Sequence, residues 1–440
     1  MKRIVWLLLS YWRTRRLRFA DRAQLDAYQH KQLASFIDVL CARSRYFAPY
    51  RALPLAQWPS MNKALMLEHF DAMNTEGVTL AQAMDAAMAA EQSRDFTPAV
   101  GDITVGLSSG TSARRAVFTV SPREKARWAG VMLAKALPDG LFSGERVALF
   151  LRANSNLYTA VRSPWLTFAF YDLFQPFDAL CAQLVQYQAS VIVAPAQVLR
   201  QLALGVIEGR LALAPKKVIS VAEVLEAQDR ALIVQAFGAV HEIYQATEGF
   251  LASTCKLGVL HLNEEYVHIE PQWLDGEPGE QRRFVPVITD FTRITQPIVR
   301  YRLDDILIAR ATPCPCGSAM RAIDGIEGRC DDMLLLPSLP AMSSANGGAP
   351  VAVFADVLTR AFAQALPPDA DYRLVQAGDS ALQLHAALDA AGLAALREHL
   401  AGVLRGLGVA TDSLAWSLSG NLPAFDPTMK RRRIVRHATA

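Results

Sequence analysis

A loop of hydroxyl groups, glycine and arginine separates two short apolar runs in the first third of the chain. The runs are "ITVGL" (103–107) and "AVFTV" (116–120), and the loop contains "SSGTSARR". Backbone N–H groups and hydroxyls on such a turn can hold phosphate oxygens, and Arg114 and Arg115 add positive charge. Neither G-x-x-x-x-G-K-[ST] nor G-x-G-x-x-G occurs. Taken alone, the loop fits a polar hairpin turn better than a phosphate site.

Polar groups also follow several later apolar runs. "YQATEG" (244–249) supplies a ring, a hydroxyl and a carboxylate of the kind that Mg²⁺ prefers. "VRYRLDDI" (299–306) places two carboxylates where they can accept from ribose hydroxyls. "GIEGRCDD" (325–332) precedes the last hundred residues, and the basic "PAFDPTMKRRRIVRH" (423–437) ends them. In isolation each segment also fits a turn or a solvated charge run.

Three cysteines and a histidine have the spacing of a tetrahedral metal site. Five residues separate Cys255 from His261, and one separates Cys314 from Cys316. A one-residue spacer strains a disulfide, so the close pair suits a metal better. Four protein ligands leave no open position, which predicts a structural Zn²⁺. The alternative is three buried thiols and a surface histidine.

The intervening pattern predicts an α/β chain. Short β-branched runs alternate with helical patterns, and these runs lie at 146–153, 190–195, 216–221 and 240–245. Such alternation predicts βαβ units and mostly parallel sheets covered on both faces. From about residue 258 the sequence pattern becomes that of antiparallel strands joined by turns, and we expect these strands to form a barrel-like part.

The chain length of 440 residues exceeds one ordinary hydrophobic core. "PSLPAMSSANGGAP" (337–350) is the most linker-like segment, and two helical patterns with strands between them follow it. We therefore expect a large N-terminal domain over residues 1–332 and a small, mobile α+β domain over residues 333–440.

Composition and charge exclude some function classes. The net charge is +3, and the basic residues cluster only at the two ends, which argues against nucleic-acid binding. No apolar run reaches 18 residues, so no transmembrane helix is expected. "MKRIVWLLLSYWRTRRLRF" lacks a small-x-small cleavage site and predicts a basic amphipathic helix. This helix either docks on the protein, the favoured interpretation, or contacts a membrane surface; a cytoplasmic location is expected.

The order of these motifs resembles that of the adenylate-forming superfamily, which includes acyl-CoA synthetases, adenylation domains and luciferases. The phenylacetate–CoA ligase and coenzyme F synthetase-like branch matches best. The matching segments are "LSSGTSARR", "VISVAEVL", "YQATEG", "RYRLDD", "EGRCDD" and "MKRRRI". Each motif alone is weak, but six in the family's order are specific, and the resemblance covers roughly residues 20–440.

The resemblance implies an ATP site. The residues that would hold the β- and γ-phosphates are Ser108, Ser109, Gly110, Thr111, Ser112 and Arg115. Those that would surround the adenine and ribose are Ala222, Glu223, Tyr244, Asp305 and Arg329. Tyr244 would stack on adenine, Asp305 would grip the ribose hydroxyls, and Asp331 would be the pivot of the small domain.

The resemblance also implies a reaction. Thr247 would contact the α-phosphate, Glu248 would help bind Mg²⁺, and Lys430 would bridge the acid's carboxylate, the α-phosphate and the ribose. A carboxylate that attacks an anionic phosphate needs cations and positioning. The product would be an acyl-adenylate, and the small domain would then present the thiol of CoA or of a carrier protein's phosphopantetheine.

Departures from the family motifs keep two alternatives open. Ala113 and Met429 stand where glycines are usual, and arginine replaces the lysine of the phosphate loop. The alternatives are a ligase with an amine or hydroxyl acceptor, and a non-catalytic nucleotide-binding member.

Residues 149–174 fall where the resembled family builds its acyl pocket. Asn154 and Tyr158 are polar there, and Phe170 is one of several aromatic residues. An aromatic-lined pocket with few polar groups suits an aromatic acid of the benzoate or phenylacetate type. The alternative places most of these aromatic residues in the core.

Overall fold

The computed structural model describes most of the chain. The described residues are 2–93, 98–107, 117–151, 165–274, 282–329, 333–339, 349–367, 369–422, 424 and 431–437.

Helices occupy much of the first 93 residues and alternate with strands afterwards. The α-helices of the described residues are α1 (Lys2–Arg16), α2 (Arg22–Arg43), α3 (Lys63–Glu68), α4 (Phe70–Met73), α5 (Leu80–Ser93), α6 (Pro122–Ala136), α7 (Phe177–Tyr187), α8 (Ala196–Ile207), α9 (Ala227–Phe237), α10 (Ala355–Ala365) and α11 (Ala390–Gly406). α6 begins with a capping box, in which the side chains of Ser121 and Glu124 each accept the other's backbone N–H.

The strands begin at residue 99. They are β1 (Ala99–Val100), β2 (Ile103–Leu107), β3 (Val117–Val120), β4 (Glu145–Leu151), β5 (Leu166–Asp172), β6 (Val191–Ala194), β7 (Lys217–Ser220), β8 (His241–Ala246), β9 (Gly249–Thr254), β10 (Leu260–Leu262), β11 (Val267–Trp273), β12 (Arg283–Asp290), β13 (Tyr301–Arg302), β14 (Asp305–Ala309), β15 (Ala322–Arg329), β16 (Leu334–Leu336), β17 (Val351–Val353), β18 (Tyr372–Gly378), β19 (Ala381–Ala386), β20 (Ala415–Ser419) and β21 (Ile434–Arg436). The four β-branched runs of the sequence form β4, β6, β7 and β8.

One large sheet forms the centre of the molecule. Its order is β5-β4-β6-β7-β8, all parallel, and then β9-β10-β15-β14-β12-β11, all antiparallel, with β13 paired to β12. The expected α/β class is confirmed. The antiparallel strands continue the hydrogen-bonded ladder of the parallel half, so one sheet contains both patterns.

Helices cover both faces of the parallel half. Ala148 and Phe150 of β4 pack in a cluster with α7, α8 and α9. Val147 and Leu149, which alternate with them, pack in a second cluster with α1 and α6. Burial on both faces explains why these strands read as nearly continuous apolar runs.

The last hundred residues have a hydrophobic cluster of their own. Its sheet has the order β20-β19-β18-β21, with β18 and β19 antiparallel and both outer pairs parallel. Leu358, Phe362, Leu400 and Leu404 of α10 and α11 pack on this sheet.

Helix α1 docks on α6 at a glycine. An added Cβ at Gly130 would lie 2.3 Å from the carbonyl oxygen of Leu7 and 2.9 Å from the Tyr11 nitrogen. Leu9 and Trp12 on the outer face of α1 remain 63% and 43% exposed. No helix in the described part of the chain is long and apolar enough to cross a membrane.

We expect Gly130→Ala to destabilise the protein by about 1–3 kcal/mol, because α1 must move away from α6. Urea unfolding and the rate of tryptic cleavage within α1 measure the change. Gly402→Ala is the matched control, because Gly402 lies in helix α11 with open space around its Cα. The control should be stabilised by about 0.5–1 kcal/mol through helix propensity. Equal stability of the two variants would contradict close packing at Gly130.

Candidate functional site

The carboxyl ends of the parallel strands bring several predicted residues to one edge of the sheet. Ala222 and Glu223 follow β7, while Thr247 and Glu248 follow β8. Gln197, which lies just beyond β6, donates from its backbone and side-chain nitrogens to Glu223 at 3.2 and 3.0 Å. In parallel α/β sheets, ligands bind at this edge.

Ala222 adopts an uncommon backbone conformation. Its φ is +66°, in the left-handed region that favours glycine. Strain of this kind persists where the surrounding structure fixes the backbone, and it clusters at binding sites. The segment predicted to line the adenine is therefore held in a specific, costly geometry.

The sheet changes from parallel to antiparallel at the corner between β8 and β9. A bulge between Tyr244 and Gln245 shifts the register just before the chain reverses. The ring of Tyr244 is buried in a hydrophobic cluster, and its hydroxyl donates to Asp305 Oδ2 at 2.5 Å. The structure thus brings together the predicted adenine and ribose residues, which are 61 positions apart.

Asp305 begins β14, and its partner in the neighbouring strand is another predicted residue. The β14–β15 register places the backbone of Arg329 opposite Asp305.

Glu248 lies at the turn of the same corner. Burial raises the pKa of its carboxyl, against a hydrogen bond from Tyr301 and the charge of Arg293. A bound cation would favour the charged form of this carboxyl. The charged form of Glu248 therefore needs a cation or hydrogen-bond donors beside it.

A cavity of about 180 Å³ lies beside Thr247. Its walls are Phe118, Val120, Glu124, Arg127, Trp128, Val131, Gln245, Ala246, Thr247, Gly249, Phe250, Tyr266, Val267, Asp290, Thr292 and Arg293. Phe170 is not among them; it packs with the cluster under α6. Sequence analysis missed the α6 and β12 residues of this cavity because no local motif marks them.

Several predicted residues lie outside the described part of the chain. They are Ser108, Ser109, Gly110, Thr111, Ser112, Arg115, Asn154, Tyr158, Asp331 and Lys430. The strands that flank the predicted phosphate loop, β2 and β3, pair antiparallel with Leu107 opposite Val117. β3, which follows the loop, contributes Phe118 and Val120 to the cavity.

The basic tail contacts the same edge of the sheet. The backbone nitrogen of Arg431 donates to Glu223 at 3.4 Å. The position next to Lys430 therefore lies at the segment predicted to line the adenine.

The guanidinium of Arg433 is buried in an ion network between the large sheet's helices and the last hundred residues. It pairs with Asp229 at 2.8 Å, with Asp371 at 3.1 Å and with Glu226. Arg200 pairs with the same Oδ1 atom of Asp229 at 3.1 Å. In the sequence, Arg433 belongs to the basic segment "MKRRRI", which fits either the lysine motif of the resembled family or a solvated charge run. Its acidic partners are distant in the chain, so no local pattern marks the network.

The four predicted metal ligands converge. One ligand atom from each of Cys255, His261, Cys314 and Cys316 lies within 4.8 Å of all the others. The Cys255 and Cys314 sulfurs are 3.9 Å apart. Two thiolates on a tetrahedral zinc lie about 3.8 Å apart, given Zn–S bonds of about 2.3 Å.

The surroundings of the cluster also suit a metal. Cys255 and Cys314 each begin a tight turn. Each is followed three residues later by a glycine at positive φ, namely Gly258 (+77°) and Gly317 (+78°). The Nδ1 atom of His261 lies 3.1 Å from the Met320 carbonyl oxygen, which leaves Nε2 free to face the sulfurs. Burial lowers the pKa of His261 and so favours the neutral, ligating ring.

No protein-family model and no curated protein sequence matches the chain. Among solved structures, 2-hydroxyisobutyryl-CoA ligase in the postadenylation state with 2-HIB-AMP is 18% identical, with a TM-score of 0.60 over 98% of this chain and 93% of that one. The same ligase with 2-HIB-AMP and CoA in the thioesterification state gives a TM-score of 0.50 over 97% and 92% of the chains.

Solved structures of lower identity and coverage share the same fold. The fatty acyl-adenylate ligases from E. coli and L. pneumophila are 14% identical, with a TM-score of 0.51 over 74% of this chain and 68% of that one. The anthranilate CoA ligase AuaEII with anthranoyl-AMP is 12% identical, with a TM-score of 0.50 over 74% and 65%. These neighbours are CoA ligases and acyl-adenylate ligases, and the chain shares their fold.

Proposed function

We propose that the protein activates a carboxylic acid with ATP as an acyl-adenylate and transfers the acyl group to the thiol of CoA or of a carrier's phosphopantetheine. The observation that carries this proposal is the contact of Tyr244 with Asp305 beside Thr247 and Glu248. It unites two separate motifs at the edge of the sheet where α/β folds bind ligands. The fold shared with CoA ligases supports it.

Each residue has a physical task in this proposal. The carboxylate of Asp305 accepts from ribose hydroxyls, and the left-handed turn at Ala222 presents backbone to the adenine. Mg²⁺, which Glu248 would hold, would offset the charge of the phosphates. Ser108, Thr111 and the arginines of the phosphate loop would hold the leaving pyrophosphate. Lys430 would bring the acid and the α-phosphate together.

The acyl acceptor and the acid are the finer parts of the proposal. A thiol acceptor is favoured because the shared fold includes a ligase with both its acyl-AMP and CoA. An amine or hydroxyl acceptor and a non-catalytic nucleotide-binding role remain the alternatives. An aromatic acid stays a prediction; cavities of about 150 Å³ hold one benzene ring, and this one measures about 180 Å³.

A peripheral membrane contact through α1 also stays a prediction. Its outer face combines exposed Leu9 and Trp12 with Arg13 and Arg16, a composition that suits an anionic lipid surface.

Asp305→Asn should raise the KM for ATP by an order of magnitude or more, because a charged acceptor of the ribose hydroxyls is lost. The KM for ATP is measured by pyrophosphate exchange in the presence of each acid of a panel of carboxylic acids. Asp304→Asn is the matched control, since Asp304 is adjacent and exposed, and lies 3.7 Å from Arg302. ATP binding without exchange for any acid would refute the enzymatic proposal. Exchange without thioester formation would refute the thiol acceptor.

We also propose that residues 333–440 move as one small domain about Asp331, and that the Arg433 network seats its tail for adenylation. In Arg433→Met, Asp229 would keep its pair with Arg200, and Asp371 would keep its pair with Arg431. Glu226, by contrast, would lose the cation that pairs with it. Such buried charges are costly, so the tail should leave its seat.

Arg433→Met should therefore reduce acid-dependent pyrophosphate exchange as strongly as Lys430→Ala, while the affinity for ATP stays within about threefold. Isothermal titration calorimetry measures the affinity for ATP, and small-angle X-ray scattering measures whether the molecule expands when the tail leaves its seat. Arg405→Met is the control, because Arg405 is exposed and its partner Asp412 lies 3.8 Å away. Full exchange activity in Arg433→Met would show that the network is structural only.

We further propose that the cysteine–histidine cluster holds a structural Zn²⁺. Elemental analysis of the purified protein should find about one zinc per chain, and Cys314→Ser should lose it and unfold more readily. Cys181→Ser is the control, because Cys181 is buried away from the cluster. Retention of zinc in Cys314→Ser, or its absence from the unaltered protein purified without chelators, would contradict the assignment.

A further inference from the structure

The cavity beside Thr247 has a distinctive division between apolar and polar walls. Phe118, Phe250 and Val131 are apolar, and Trp128 presents its ring with Nε1 bonded to Gln245 at 3.1 Å. If the proposed function holds, this cavity adjoins the point where the acid reacts and is the place for its acyl group. The chemistry of the walls then defines the acid.

Most polar groups in the walls already have partners. Glu124 accepts from the backbone nitrogens of Ser121, Ile294 and Thr295. Asp290 accepts through Oδ1 from both the nitrogen and the hydroxyl of Thr292. These hydrogen bonds fix the orientation of both carboxyls.

Arg127 differs from them. Among the described residues, its guanidinium donates one hydrogen bond, from NH1 to the Thr292 carbonyl at 3.2 Å. Within the described residues no carboxylate oxygen lies within 4.0 Å of it. A guanidinium has five N–H donors and stays charged, so a half-buried one without an anion has donors to offer.

The position of Arg127 separates it from the reacting end. Arg127 bonds to the carbonyl of Thr292, whereas the next residue, Arg293, donates to the carbonyl of Thr247 at 2.7 Å. The segment that contains these two residues lies between Arg127 and the β8–β9 corner. Arg127 therefore enters the cavity from the α6 side, away from Thr247.

We propose that Arg127 determines specificity by binding a hydroxyl or carbonyl oxygen on the acyl group, at the end away from the carboxylate that reacts. The acid is then a small hydroxy or oxo acid, on a chain or a single ring. A neutral oxygen fits better than a second carboxylate, because the carboxyls of Glu124 and Asp290 lie in the same wall.

The test compares acids that differ only by hydroxyl and methyl, such as 4-hydroxybenzoate with 4-methylbenzoate and 3-hydroxybutyrate with 3-methylbutyrate. Pyrophosphate exchange should favour one of the hydroxy acids over its methyl partner by about tenfold or more in kcat/KM. Arg127→Met should abolish that preference by lowering kcat/KM for the hydroxy acid and not for the methyl acid. Arg123→Met is the control, because Arg123 is an exposed residue one turn earlier on α6.

Three results would overturn the proposal: equal use of both acids, a preference for a dicarboxylic acid, or an equal loss for all acids in Arg127→Met. The last would mean that Arg127 binds the reacting carboxylate. Calorimetric titration of the same acids without ATP separates this inference from the proposed function. If the hydroxy acid binds in a way that depends on Arg127 but no acid supports exchange, the enzymatic proposal is refuted and the specificity proposal stands. If the hydroxy and methyl acids bind equally well, the specificity proposal is refuted.

Discussion

The reversal of the chain between β8 and β9 is the constraint on which the candidate site depends. β8 is parallel to β7 and antiparallel to β9, so the chain must turn back at the edge where the other parallel strands end. That turn leaves Thr247 and Glu248 at the edge of the sheet. The bulge before it sends the ring of Tyr244 inward, where the hydroxyl reaches Asp305. A shift of this corner would separate all four residues.

Charged groups near this corner fall into two kinds. Arg433 is buried with three acidic partners, so its charge is compensated by the protein itself and it joins two parts of the molecule. Arg127 borders a cavity and, within the part of the chain that the structure describes, donates to one backbone carbonyl. Since an ion loses hydration when it is buried, an incomplete set of protein partners suits a ligand, whereas a complete set suits a structural contact.

Much of the fold follows from local pattern. Four β-branched runs became β4, β6, β7 and β8, because strands buried on both faces need apolar residues at every position. The cysteine–histidine cluster was also predictable, since two short spacings identified Cys255, His261, Cys314 and Cys316. The cavity was not, because α6, β8 and β12 contribute its residues and each contribution looks like ordinary amphipathic structure. Phe170, an aromatic residue predicted for the acyl pocket, packs with the cluster that includes α6, and its role in binding an acid stays a prediction.

By itself, the sequence determined the residue types, the helices and strands, and the order of the motifs, because each depends on neighbours along the chain. Only the tertiary structure decided which charges lose their water and which groups meet. Arg433 and Asp229 are 204 positions apart and look like surface residues in the sequence. Their burial depends on two elements that pack together, and the electrostatic consequence of burial belongs to that packing, not to either segment.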